Sequence, residues 1–111
     1  VFVCNIMTQP GETAGFTASD HVKAIQRHTG EVPFDYVLIN SAPVDPWVLQ
    51  RYRATGADVV EADYTEIARM GLIPVRADLV HISADGWVRH DTQMVARKLL
   101  ELVAERAPVL M

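Results

Sequence analysis

At 111 residues, half of them hydrophobic and 22% charged, the chain has the make-up of a single globular domain with no disordered tail. A net charge of −4 leaves no basic footprint. Nucleic acid and anionic membrane are therefore excluded as partners, and any bound phosphate must be met by local groups. The one cysteine, Cys4, stands in an apolar run, can form no intrachain disulfide and is expected as inert core in a reducing compartment. No apolar run approaches a membrane span and no basic segment precedes a signal-like core, so the expected location is the cytoplasm.

Val1-Phe2-Val3-Cys4 reads as a buried strand. It is followed by Asn5-Ile6-Met7-Thr8-Gln9-Pro10-Gly11-Glu12-Thr13, a polar loop around a Pro-Gly turn. Strand, polar loop and helix, in that order, is how open α/β sheets build ligand sites at the carboxyl ends of their strands. Thr17 is an N-cap candidate with Asp20 at the capping-box position, and the spacing predicts a helix over Ala18–Thr29 stopped by Gly30. Ala18, Val22, Ile25 and Thr29 form its stripe.

Pro33 makes the next stretch a connector, and Phe34–Ile39 is a second apolar strand ending at Asn40-Ser41. A continuous apolar run suits a parallel strand covered on both faces. Asp45 and Pro46 open a short helix over Trp47–Thr55, closed by Gly56. Asp58–Glu61 is a short strand or an extended link, and Tyr64–Met70 gives one or two helical turns before Gly71. From Leu72 the pattern is extended, with a small β excursion expected at a sheet edge; Asp85-Gly86 is a type I′ hairpin signal and Trp87-Val88-Arg89 the return arm. The last helix is capped by Asp91, buries Val95, Leu99, Leu102 and Val103, and ends at Pro108. Two or three parallel strands make a thin sheet that needs partner strands, from a missing segment or another subunit. A chain that begins inside its first strand is expected to be part of something longer.

Several groups could carry chemistry. Asn5 and Asn40 each end a predicted parallel strand; their amides either point into one crevice or cap their own strand ends. The first helix could receive an anion at its N-terminus, but Glu12 and Asp20 stand close by and would repel it. That loop is thus suited to the neutral part of a ligand, and it is no P-loop. His21, beside Asp20, is a site candidate, whereas His28 is expected at the surface. Arg89 is the best-placed cation for a diphosphate, with an ion pair inside the hairpin as the alternative. His81, Asp85 and His90 are not read as a metal site, and Trp47 and Trp87 are expected to be packing residues.

The motif Asn5–Thr13, its continuation Gly15-Phe16-Thr17-Ala18-Ser19-Asp20-His21-Val22, the Phe34–Ser41 strand and Val88-Arg89-His90-Asp91 together resemble the YvcK-type gluconeogenesis factor family of the CofD-like superfamily. The resemblance implies a Rossmann-like, mostly parallel α/β sheet with flanking helices, and this chain, 1–111, as the C-terminal part of one such domain. It lacks the family's Gly-Gly-Gly-Thr-Gly phosphate loop. A nucleotide-sugar ligand of the UDP-N-acetylglucosamine kind and a role in cell shape and cell-wall synthesis are also implied. By position Asn5, Thr8, Gln9, Glu12 and Thr13 would form the pocket loop and Arg89 a phosphate or uridine contact, with Asp20, His21 and Asn40 as further candidates. Two alternatives stay open: a CofD-like phospholactyl transferase assisted by a divalent metal, and a module that only packs against the rest of its protein or forms homo-oligomers.

Overall fold

The computed structural model describes residues 1–106. Its elements are β1 (Phe2–Val3), α1 (Ala18–Thr29), β2 (Tyr36–Asn40), α2 (Pro46–Ala54), α3 (Tyr64–Arg69), β3 (Ile73–Ala77), β4 (Val80–Ile82), β5 (Val88–His90) and α4 (Thr92–Arg106). This is the mixed α/β arrangement the sequence predicts. β1, β2 and β3 form a parallel sheet in that spatial order, with Val3 opposite Leu38 and Leu38 opposite Val75.

The continuous apolar run of β2 is the central strand, and its side chains alternate between two cores. Val37 and Ile39 face one layer with Cys4, Ala18, Val22 and Ile67, beneath α1 and α3. Leu38 faces the other with Ile6, Met7, Leu79 and Val88, closed by Val48, Tyr52 and Met94 from α2 and α4. Helices on both faces of a parallel sheet are what such strands require.

α1 begins where its capping chemistry says it should. Thr17 Oγ1 accepts from the Asp20 amide at 3.2 Å, and Asp20 Oδ2 accepts from the Thr17 amide at 3.0 Å. Gly30 ends the helix at φ 81°, a left-handed stop that side-chain-bearing residues resist. Of the predicted stripe, Ala18 and Val22 are fully buried, Ile25 is half-buried and Thr29 is exposed. Asp45 caps α2 through the Trp47 amide at 2.9 Å with Pro46 in the first turn. Asp91 Oδ1 caps α4 through the Met94 amide at 3.1 Å. The predicted stop at Pro108 lies outside the described residues.

Four expectations are corrected. The extended run from Leu72 divides: Ile73–Ala77 joins the main sheet as β3, and only β4 and β5 form the separate antiparallel hairpin. Pro74 is admissible in β3 because that strand is an edge. The hairpin turn is not type I′, which needs positive φ at Asp85 as well as at Gly86; only Gly86 is left-handed, at φ 82°. The turn is closed by the Gly86 amide to the Ser83 carbonyl at 2.8 Å and the Ser83 amide to the Trp87 carbonyl at 3.0 Å, as in a turn followed by a glycine bulge. Val103 is 65% exposed because it lies beside Leu102, whose side chain takes the buried position. Trp47 is 79% exposed on the outer side of a helix that buries no residue fully; Trp87 packs as expected, edge-on to Tyr52 at 5.0 Å.

Asp58–Glu61 is the extended link of the two readings, joined to its surroundings by single bridges from Val59 to Met7 and from Glu61 to Thr17.

Candidate functional site

Where β1 ends, the chain turns away and runs beside residues 58–60, with the Val60 amide on the Ile6 carbonyl and the Thr8 amide on the Asp58 carbonyl, both at 2.8 Å. This detour opens a cleft of about 270 Å³ at the carboxyl end of the sheet, the usual ligand position in open α/β folds. Asn5, Thr8 and Gln9 line it from the loop, Tyr52 from α2, and Arg89 and His90 from β5.

Each polar group there has a definable state. Thr8 is 5% exposed and its hydroxyl is tied to the backbone of Asp58, accepting from the amide at 2.9 Å and donating to the carbonyl at 3.2 Å. Among the described residues the side-chain amides of Asn5 and Gln9 make no hydrogen bond, and both residues are exposed. His90 Nε2 lies 3.0 Å from the Cys4 carbonyl; a carbonyl only accepts, so Nε2 is the donor. The Tyr52 hydroxyl accepts from the Val88 amide at 2.8 Å, leaving its own proton to donate. Arg89 donates from Nη1 to the Val88 carbonyl at 3.1 Å, and its Nη2 stands 3.5 Å from Asp85. The ion pair inside the hairpin is thus present, and the same residue lines the cleft.

The remaining predicted residues lie elsewhere. Glu12 is exposed, its amide on the Gln9 carbonyl at 3.2 Å. Thr13 closes the loop by accepting the Gln9 amide at 2.8 Å. Asn40 does not share a crevice with Asn5. Its Oδ1 accepts the Ala42 amide at 3.2 Å and the Leu79 amide at 3.0 Å, and its Nδ2 donates to the Ala42 carbonyl at 2.8 Å. His21 is 7% exposed, with Nδ1 donating to the Thr17 carbonyl at 2.8 Å, its ring edge-on to Phe16 and Nε2 without a partner among the described residues. His28 is exposed.

The N-terminus of α1 is already filled. The Ala18 amide is bound by the Glu61 carbonyl at 2.9 Å, the Ser19 amide by Asp63 Oδ1 at 2.9 Å, and the Asp20 amide by Thr17. The Ser19 hydroxyl also donates to Asp63. Burial pushes the Asp63 carboxyl up, but hydrogen bonds from the Ser19 hydroxyl and amide and from Thr17 outweigh it and hold it below the usual range. A folded value below the unfolded one means stability present above about pH 4 and lost as pH falls through the folded value. Asp63→Asn is thus expected to lower stability at pH 7, with the gap to wild type closing below pH 4; urea midpoints across pH check it. Burial, and then the charge of Asp63, push the Cys4 thiol up to about 12, so Cys4 is inert.

Among the described residues, no three His, Cys, Asp or Glu side chains are grouped to hold a metal ion. None of the helices described there is long and apolar enough to cross a membrane.

Fold and cleft together define an α/β protein with an open parallel sheet and a polar crevice at its carboxyl edge. Residues 1–80 match the family described as 2-phospho-L-lactate transferase CofD, and the chain belongs to that family. It is 41% identical over 105 residues to the gluconeogenesis factor of Bacillus subtilis, covering 95% of this chain and 33% of that protein. It is 35% identical over 101 residues to the gluconeogenesis factor of Halalkalibacterium halodurans, covering 91% of this chain and 31% of that protein. A crystal structure of a UPF0052 family protein from Bacillus halodurans superposes with a TM-score of 0.83 at 34% identity, over 88% of this chain and 31% of that one. The chain spans about a third of the length of each of these three relatives.

Tyr52 and His90 were not singled out from the sequence as cleft residues. The Val88–Asp91 segment carried the one available signal for His90; for Tyr52 there was none.

Proposed function

We propose that this chain supplies part of the binding site for a nucleotide sugar of the UDP-N-acetylglucosamine kind, in a gluconeogenesis factor that supports cell shape and cell-wall synthesis. The observation that carries this reading is the convergence of uncommitted amides and one arginine on the cleft. Asn5, Gln9 and the Tyr52 hydroxyl suit the hydroxyl, carbonyl and amide groups of a base or sugar, and Arg89 suits phosphate. The filled N-terminus of α1 supports the same division of labour, since it offers no competing cradle for charge. The transferase alternative brings a possible divalent metal; among the described residues no three His, Cys, Asp or Glu side chains are grouped to hold one.

The test is isothermal titration of UDP-N-acetylglucosamine into the protein expressed from its complete gene. Saturable binding that weakens about tenfold in Arg89→Ala, the loss of roughly one charge-assisted hydrogen bond, supports the reading. A folded protein that does not bind, or binding that ignores Arg89, overturns it.

A further inference from the structure

Arg89 does not present its guanidinium freely to the cleft. Both terminal nitrogens are engaged by the hairpin, Nη1 with the Val88 carbonyl and Nη2 with Asp85. Three of the five guanidinium N–H groups stay unassigned, so a phosphate can be gripped without breaking either contact; what the Asp85 carboxylate takes from that grip is charge, because it stands 3.5 Å from Nη2.

Asp85 is held in place. Its Oδ1 accepts from the Trp87 amide at 3.1 Å and from the Ser83 hydroxyl. The turn that carries it is held by Arg51, whose Nη1 donates to the Gly86 carbonyl at 3.3 Å and whose guanidinium stacks over Trp87 at 4.3 Å. The carboxylate stays while the arginine can swing, and its side chain is 54% exposed.

We infer that Asp85 is a built-in competitor for Arg89, a carboxylate that offsets the guanidinium charge in the ligand-free cleft and so weakens its attraction for the phosphates of an anionic ligand. Asp85 thereby determines specificity: a ligand with one diffuse charge gains little over the resident carboxylate, whereas a diphosphate, with its charges adjacent, outcompetes it. Hydrogen bonds from the Ser83 hydroxyl and the Trp87 amide, with the nearby Arg89 charge, hold the Asp85 carboxyl below its usual range, so the competitor is charged throughout the physiological range. An exposed ion pair is weak, which makes it a threshold and not a lock. The inference rests on the proposed reading of the cleft for its ligand, but not for its test.

The experiment titrates UDP-N-acetylglucosamine, and separately inorganic pyrophosphate, into wild type, Asp85→Asn, Arg89→Ala and the double variant. Asp85→Asn keeps the oxygen that Ser83 and Trp87 bind, so the turn is preserved. Both ligands are expected to bind about threefold to fivefold tighter in Asp85→Asn, as loss of a weak exposed pair allows, and Asp85→Asn is expected to change nothing once Arg89 is gone. Pyrophosphate tightening without any binding of the nucleotide sugar would remove the nucleotide-sugar reading and keep the competitor. Nucleotide-sugar binding that Asp85→Asn leaves unchanged or weakens would keep the reading and overturn the competitor, as would an effect that persists without Arg89. Binding of neither ligand by wild type or Asp85→Asn would overturn both.

Discussion

Leu38→Ala is expected to destabilise the protein by about 3 kcal/mol, the middle of the range for deleting a fully buried leucine. Leu38 is 0% exposed and sits at the centre of the middle strand, its carbonyl taking the Cys4 amide at 2.9 Å and its neighbours on either side being Val3 and Val75. Paired strands on both sides keep the backbone from collapsing into the space left behind, so the cavity term adds to the lost transfer energy. A domain of ordinary stability has about 5–15 kcal/mol in total, so this single change removes a large share. The urea midpoint should fall with little change in slope, because the surface exposed on unfolding is the same. Leu100→Ala, at a position 70% exposed, should shift stability by less than about 0.5 kcal/mol. Equal effects at the two positions would contradict the two-layer core. Leu38 also shares its core with Ile6, Met7 and Val88, which line the cleft, so the same change should loosen the site.

What could be read from the sequence was whatever the chain decides locally. Thr17, Asp20 and Gly30 specify the bounds of α1 by hydrogen bonds within a few residues, and those bounds were found as predicted. The β2 run announced a two-sided strand because burial on both faces leaves no polar alternation. Position in three dimensions was harder to see. Pro74 disguised β3, since a proline in an extended run argues against a sheet strand until its edge position is known. Asn40 taken alone reads as a cap of its own strand end and only as a pair with Asn5 as a crevice residue, and the strand-end bracket to Leu79, 39 residues away, is a tertiary fact. Tyr52 and His90 reach the cleft from α2 and β5, which are brought beside β1 only by packing. Trp47 is large and apolar, yet α2 is too short and too peripheral to bury both of its sides. The loop motif itself was legible as a polar strand-to-helix connection; which of its groups line the cleft and which hold the loop together was not.

Thr8 shows that distinction most sharply. It lines the cleft, and its hydroxyl is a latch, bound to both the amide and the carbonyl of Asp58. Thr8→Val keeps the shape of the side chain and removes both bonds, leaving the Asp58 amide without its partner. Both bonds are part-buried, and losing a typical hydrogen bond costs about 0.5–1.5 kcal/mol, so a loss of about 1–2 kcal/mol is expected. The same change should weaken nucleotide-sugar binding several-fold without removing any contact to the ligand, because Asn5 and Gln9 are carried by the loop that the latch holds against residues 58–60. Thr8→Ser retains the hydroxyl and gives up only a methyl group; it should keep binding within about twofold and cost about 1 kcal/mol or less. Denaturant unfolding and titration of the two variants side by side measure both quantities. If Thr8→Val and Thr8→Ser behave alike, the hydroxyl is not the latch and the loop is held by its backbone pairing to Asp58 and Val60 alone. If Thr8→Val binds normally while losing stability, the cleft does not depend on where the loop is held. The expected pattern, in which stability and affinity fall together in valine and survive in serine, ties the shape of the cleft to one buried oxygen.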